Sequence, residues 1–322
     1  MDNAVFVLAD GHKLYGTEVA VLRLLKKLDN KNQLSVCSIK STLHDEFLPW
    51  QKELEGHALY RLIYLAFWSS EKTIVSANHH ASVILLILSI LSRKKIICWE
   101  HSEHNFAKSY MQFLKMFLYR LAFAIITVNE RDKIYWGRKN KNVFKIWNFS
   151  NDKPVTPQPK SIDLLYIGRF SPERGQKYFN DIFDALYEID TTPLNISLVG
   201  DTFDKIAKKH FDNNNISIIP YSHKIEHFFS QSRCYINPAQ YESFGLSVYE
   251  ALLNDLSVVA WDNTASAAEF RSERSFVAVE FDNVKQFAAA INRCLKYPVT
   301  QRAKNQDDQS AKMWQRLIFE TN

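Results

Sequence analysis

At 322 residues the chain is longer than one hydrophobic core usually serves, so two domains are expected. A composition of 46% hydrophobic and 23% charged residues, with only 8 Gly and 9 Pro, excludes long disordered or collagen-like tracts. The net charge of +5 is unevenly shared: residues 1–150 hold 21 Lys and Arg against 13 Asp and Glu, and the remainder holds 19 against 22.

In the first half, strands and helices alternate. Ala4–Leu8 reads as a strand, and Thr17–Leu28 as a helix with Val19, Leu22, Leu25 and Leu28 at helical spacing. Strands follow at Leu34–Ile39, Lys72–Ser76, Lys95–Trp99, Ala124–Val128 and Val143–Trp147. Ser82–Leu91 reads as a buried helix, and His79-His80 before it as loop residues with no ligand partner in sequence. Phe106–Leu121 is amphipathic. Its Phe106, Tyr110, Phe113 and Phe117 are expected to face the core, and a basic aromatic helix in a membrane interface is the alternative.

Asn148–Ser161, with Pro154, Pro157 and Pro159, reads as an interdomain linker. Beyond it the alternation restarts: strands at Asp163–Ile167, Asn195–Val199, Ile216–Ile219, Cys234–Asn237 and Leu256–Ala260, and helices at Gln176–Tyr187, through His227–Gln231 and at Leu246–Leu253. A helix at Ser310–Glu320 closes the chain. The expectation is an α/β protein of two Rossmann-like domains facing a cleft, residues 1–153 and 154–322.

Cys37, Cys98, Cys234 and Cys294 are far apart and form no zinc-type spacing, so free buried thiols in a reducing compartment are expected. The N-terminus has no signal-peptide pattern. The apolar run Ala81–Leu91 is short of the ~20 residues a spanning helix needs. A cytoplasmic protein is expected, or one lying on the inner face of the membrane. The basic first half suits an anionic partner such as a phospholipid surface or a lipid diphosphate. No nucleic-acid-binding motif is present.

The chemistry concentrates in AQYESFGLSVYEALLN, residues 239–254. A strand ends at Asn237, a loop carries Glu242, and Ser243-Phe244-Gly245 opens a helix at Leu246 that carries Glu250. Unpaired N–H groups at a helix start favour phosphate, and Gly245 lets a ligand approach the backbone. On a continuous helix the two carboxylates would stand about 80° apart, which favours separate roles over one shared proton.

This segment resembles the E-x7-E signature of retaining family-4 glycosyltransferases of the GT-B fold, of the bacterial surface-polysaccharide type. The resemblance implies that Glu242 meets the donor sugar and Glu250 the nucleotide ribose. Ser243 stands where the family usually has Gly, and Asn254–Ser257 replaces a usual Gly and Pro. Tyr166-Ile-Gly-Arg-Phe-Ser-Pro-Glu-Arg-Gly175 resembles the family's G-R followed by K-G, so Arg169 and Arg174 are implied at the diphosphate. Val199-Gly200-Asp201 resembles a G-D turn, and Tyr15-Gly16-Thr17-Glu18 a G-G-x-E loop. His101, after a strand, stands where many members place a histidine facing the reacting sugar.

The implied reaction moves a hexose from a nucleotide diphosphate sugar, UDP-linked above others, to a glycan or lipid-linked glycan of lipopolysaccharide or O-antigen type. The implied site is Glu242, His101, Arg169 and Arg174 with Gly16, Gly200, Ser243, Phe244, Gly245, Leu246 and Glu250. No D-x-D triplet occurs, and a metal-independent reaction without cofactor is expected. An anionic membrane surface is a further partner. A nucleotide-sugar epimerase on the same fold, or a non-catalytic nucleotide-sugar-binding subunit, are the alternatives.

Overall fold

In a computed structural model of the chain, residues 3–12, 14–28, 33–104, 110–150, 158–200, 206–220, 222, 225–299 and 301–320 are described. The chain divides into two compact units, one of Met1–Phe149 with Gln306–Asn322 and one of Ser150–Asn305. Residues 151–157, which include half of the expected linker and its domain boundary, lie outside the described residues. So do Phe106 and Asp201.

The first unit carries β1 (Ala4–Leu8), α1 (Gly16–Leu28), β2 (Leu34–Ser38), α2 (Ala58–Phe67), β3 (Thr73–Ser76) and α3 (His79–Ser92). These are followed by β4 (Lys95–Glu100), α4 (Tyr110–Leu118), β5 (Ala124–Thr127), α5 (Glu130–Gly137) and β6 (Val143–Lys145). Its six strands pair in parallel in the order β2-β1-β3-β4-β5-β6. Every residue of β1 is buried, which is why that strand reads as an unbroken apolar run rather than an alternation.

Helix α3 begins at His79, capped by the Asn78 side chain, which accepts from the Ala81 N–H at 3.0 Å. His79 and His80 are therefore helical, not loop. The helix is apolar all round, but its outward residues Ile87, Ile90 and Leu91 are exposed, so the expected burial holds for one face only. Helix α4 departs further from expectation. Tyr110 and Phe117 are exposed and Phe113 is 61% exposed, while Lys115 and the following Tyr119 point inward. The reason is electrostatic: Lys115 and Tyr119, one turn apart, reach a buried carboxylate on β4, and the aromatic stripe is turned outward.

The second unit carries β7 (Ile162–Gly168), α6 (Tyr178–Ile189), β8 (Asn195–Gly200), α7 (Lys208–Asn213), β9 (Asn215–Pro220), α8 (Ile225–Gln231) and β10 (Ser232–Asn237). Then come α9 (Leu246–Leu253), β11 (Ser257–Trp261), α10 (Ala265–Phe270), β12 (Phe276–Val279) and α11 (Val284–Lys296). The parallel order is β12-β11-β10-β7-β8-β9. Tyr166, Phe179, Phe183, Trp261 and Phe287 fill one core beneath it.

The last helix, α12 (Asp307–Gln315), continues as a π-helical turn over Arg316–Glu320 and belongs to the first unit. Its Trp314 is fully buried against Phe6 and Trp99. All four cysteines are free and buried. No helix among the described residues is long and apolar enough to cross a membrane.

Candidate active site

In the second unit, the strands in chain order occupy positions 3-2-1-4-5-6 across the sheet, so the winding reverses between its first strand, β7, and its fourth, β10. Loops leaving adjacent strand ends in opposite directions open a crevice there, where ligands of open α/β sheets bind. Arg169 and Arg174 follow β7, and Glu242 follows β10. β7 and β10 pair directly, Leu165 opposite Tyr235, so residues about seventy apart in sequence share one end of the sheet.

Two contacts knit these loops. The Gln240 N–H donates to the Glu173 carbonyl at 3.0 Å. Gly175 has φ of +85° and lies against Pro238, where a Cβ would sit 2.0 Å from the carbonyl oxygen. That close approach brings the Arg174 guanidinium onto the Glu242 carboxylate, Nη1 to Oε2. The Glu242 charge raises the Arg174 pKa above its ordinary value, so the cation is permanent. Beneath the pair, the Tyr166 hydroxyl donates to the Arg169 carbonyl at 2.8 Å and the Tyr235 hydroxyl to the Ile167 carbonyl at 3.2 Å. Burial pushes both phenols up, and they act as neutral donors. We expect Gly175→Ala to destabilise the second unit by at least about 1–2 kcal/mol, because a left-handed backbone and a backbone clash act together. Urea unfolding checks this, and a midpoint equal to wild type would remove the argument.

The segment after Glu242 turns sharply into α9. Gly245 caps the helix with φ of +73°, and a Cβ there would lie 2.8 Å from the Ser266 hydroxyl and 3.1 Å from Cγ of Glu242. The Ser266 N–H donates to the Glu242 carbonyl at 2.9 Å. Ser243 and Phe244 are buried, the latter against Tyr249 and Phe270. Leu246 is the first helical residue, and Glu250 lies buried on the helix. Because the helix begins at Leu246, the 80° expectation for a continuous helix does not describe the pair. The loop aims Glu242 toward Arg174, and the helix holds Glu250 separately. Gly200 ends β8, paired with Gly168 at the end of β7. Ser266, whose buried hydroxyl has no hydrogen-bond partner beside this turn, carried no signal in the sequence.

Gly16 and His101 belong to the first unit. Gly16 opens α1, and a Cβ there would meet nothing within 4 Å. His101 follows β4, its ring 4.4 Å from that of Trp99. Its Nε2 is buried without a hydrogen-bond partner, and burial pushes its pKa down to about 3, so the imidazole is neutral. The preceding Glu100 is 2% exposed and accepts from Lys115 Nζ at 2.5 Å and from the Tyr119 hydroxyl. His79 Nδ1 stands 3.5 Å away. Burial alone would raise the Glu100 pKa, but the Lys115 and His79 charges hold it well below the carboxylate range. Spacing in sequence did not reveal this carboxylate beside His79, because it arrives from the neighbouring strand. His104 is tied to Asp132 at 2.6 Å and stacks on Tyr135. Among the described residues no group of three or more His, Cys, Asp or Glu is arranged to hold a metal ion.

Comparison with known proteins adds sequence and fold relationships. Residues 148–313, just over half of the chain, match the family model described as glycosyl transferases group 1. The amylovoran biosynthesis glycosyltransferase AmsD of Erwinia amylovora is 26% identical over 232 residues, covering 66% of this chain. That alignment spans 65% of the relative's own length. The structure of Anabaena HepE in complex with UDP and glucose superposes with a TM-score of 0.74 at 15% identity, covering 97% of this chain and 95% of that one. The apo form of the lipopolysaccharide outer core galactosyltransferase WaaB superposes at 0.70 with 14% identity, covering 99% and 96%. The fold is that of the GT-B enzymes, two parallel α/β sheets of six strands each.

Proposed function

The chain belongs to the glycosyl transferases group 1 family, and from that membership we propose that it moves a hexose from a nucleotide diphosphate sugar to a glycan hydroxyl, with retention at the anomeric carbon. The observation that carries this reading is the Arg174–Glu242 pair at the reversal point of the second sheet, in front of the N-terminus of α9. A leaving diphosphate needs positive charge, and Arg169, Arg174 and the first N–H groups of α9, which no carbonyl within a helix can take, supply it without a divalent ion. Turnover is then insensitive to EDTA. Glu242 faces the sugar, Glu250 takes the ribose hydroxyls, Gly200, Ser243, Phe244 and Leu246 shape the donor pocket, and Gly16 and His101 are the first unit's contacts to the reactants. The leaving group already carries its charge stabilisation, so the two-carboxylate scheme of glycoside hydrolysis does not apply.

The relatives support UDP as the nucleotide and a surface-polysaccharide acceptor: one is named for amylovoran biosynthesis, one is seen with UDP and glucose, and one is named for the lipopolysaccharide outer core. A thermal-shift panel of nucleoside diphosphates and nucleotide sugars tests the donor, since a ligand of the folded state raises the melting temperature by mass action. No response to any member overturns the reading. Labelled donor tests the reaction: label must appear on the acceptor, and label retained on an altered sugar nucleotide would instead indicate an epimerase. Glu250→Ala should weaken donor affinity about tenfold and change kcat much less, because the ribose contact is made equally in ground and transition states. Isothermal titration beside steady-state kinetics reads both.

Peripheral attachment to an anionic bilayer belongs to the same proposal. Between residues 72 and 129 the acidic residues are Glu100 and Glu103, and both are buried. Exposed in this stretch are Lys72, Arg93 and Arg120 and the apolar Ile90, Leu91, Tyr110, Phe113 and Phe117, with Arg120 lying 5.7 Å from the Phe117 ring. A stretch of exposed apolar residues and cations whose two acids are buried suits anionic lipid headgroups. Flotation with phosphatidylglycerol vesicles, lost in Phe113→Ser/Phe117→Ser, is expected. An unbound wild type removes this part alone.

A further inference from the structure

The end of β4 is gripped from both faces of its sheet. On one face, Glu100 is held by Lys115 and Tyr119 and approached by His79. On the other, the Trp99 ring lies 4.6 Å from Trp314 of α12, edge to face, and Trp314 rests in turn on Phe6 of β1 at 6.0 Å. Trp99 thus touches both Trp314, edge to face, and His101, whose ring is tilted 43° to it. Trp99 Nε1, Trp314 Nε1 and His101 Nε2 are all buried without a hydrogen-bond partner. With no such bond to orient these rings, packing alone fixes them. A stack held only by van der Waals contact transmits any void at one end to the other.

We propose that Trp314 is a positioning residue for His101, acting through Trp99, so that the C-terminal helix completes the geometry of the imidazole. The proposal rests on the reading of His101 as a reactant contact. It goes beyond that reading by giving α12 a role in the reaction, where simple closure of the first unit would need none. A displacement of about 1 Å at a reacting group is enough to cost ten- to a hundredfold in rate, so a loosened stack acts on turnover before it acts on donor binding.

Two readouts test it. In the first, Trp314→Met lowers kcat about tenfold with less than a twofold change in donor KM, and Trp314→Phe restores most of the rate. In a His101→Ala background, Trp314→Met costs nothing further. Multiplying losses would mean a purely structural role and overturn the proposal. The second readout is the pH titration of the His101 imidazole by NMR, which needs no substrate. The charged groups near enough to act on this ring are Glu100 and His79. The midpoint should rise by at least about one unit in Trp314→Met, as the ring gains access to water, and stay low in Trp314→Phe. Phe6→Leu, which loosens Trp314 from its far side, serves if Trp314→Met does not fold and should move the midpoint the same way. An unmoved midpoint overturns the proposal. Absence of transferase activity with every donor would instead sink the functional reading, and the titration would still decide the coupling.

Discussion

Glu242→Ala is expected to lower kcat at saturating donor by on the order of 10²–10³-fold, the loss typical of removing one preorganised charge contact to a developing transition state. The carboxylate has two partners to lose. It is proposed to face the sugar, and it also holds the Arg174 guanidinium in place. Released from Glu242, the arginine keeps its charge but not its direction, and a planar fork is useful only when aimed. Arg174→Lys should therefore be impaired as well, by less, since a point charge can still neutralise the diphosphate. Rapid-quench measurement at saturating donor separates turnover from affinity. If Glu242→Ala weakens binding and spares turnover while Glu250→Ala does the reverse, the two roles have been assigned the wrong way round.

The largest expected stability effect lies in the first unit. Lys115→Met should cost about 3–5 kcal/mol, because Glu100, 2% exposed, would lose its nearest cation and face the burial of its carboxylate without that compensation. Combining it with Glu100→Gln should recover most of that loss, since the uncompensated charge disappears with its partner. The sign of the pH dependence follows from the depressed Glu100 pKa. A carboxyl held below its ordinary value of 4.5 contributes stability above that pH and loses it on acidification, as the unfolded chain takes up the proton first. Wild type should lose stability as pH falls below about 4.5, and the double variant should lose less. Calorimetry across that range measures both. A Lys115→Met midpoint equal to wild type would mean that the pair contributes nothing.

Much of the fold was legible because buried parallel strands announce themselves. Ala4–Leu8 and Leu246–Leu253 appear with the bounds their apolar patterns predict, and most other strands shift by a residue or two at their ends. Helices α2, α5, α7, α10 and α11 were not read. In α5, ERDKIYWG mixes charge with aromatics over only two turns, too short for a period to stand out. The Glu242–Glu250 segment and the Arg169–Arg174 loop were legible because strand, turn and helix follow each other locally. Their junction was not, since it depends on β10 lying beside β7.

The contrast is sharpest along Tyr110–Leu121. Helical spacing showed an amphipathic helix, and the apolar stripe was taken for the buried side. The structure turns Lys115 and Tyr119 inward, because an ionised Glu100 buried on β4 needs compensation more than three aromatics need cover. Periodicity in the sequence thus determined most of the strands, the longer apolar helices and their parallel alternation, and the order of residues determined the local motifs at strand ends. Tertiary structure alone decided which face of α4 is buried, that Arg174 meets Glu242, and that Trp314, more than two hundred residues away in sequence, packs on the strand end before His101. Those contacts arise from strand order and from charges that must be neutralised where they are buried, and neither is written in the spacing of neighbouring residues.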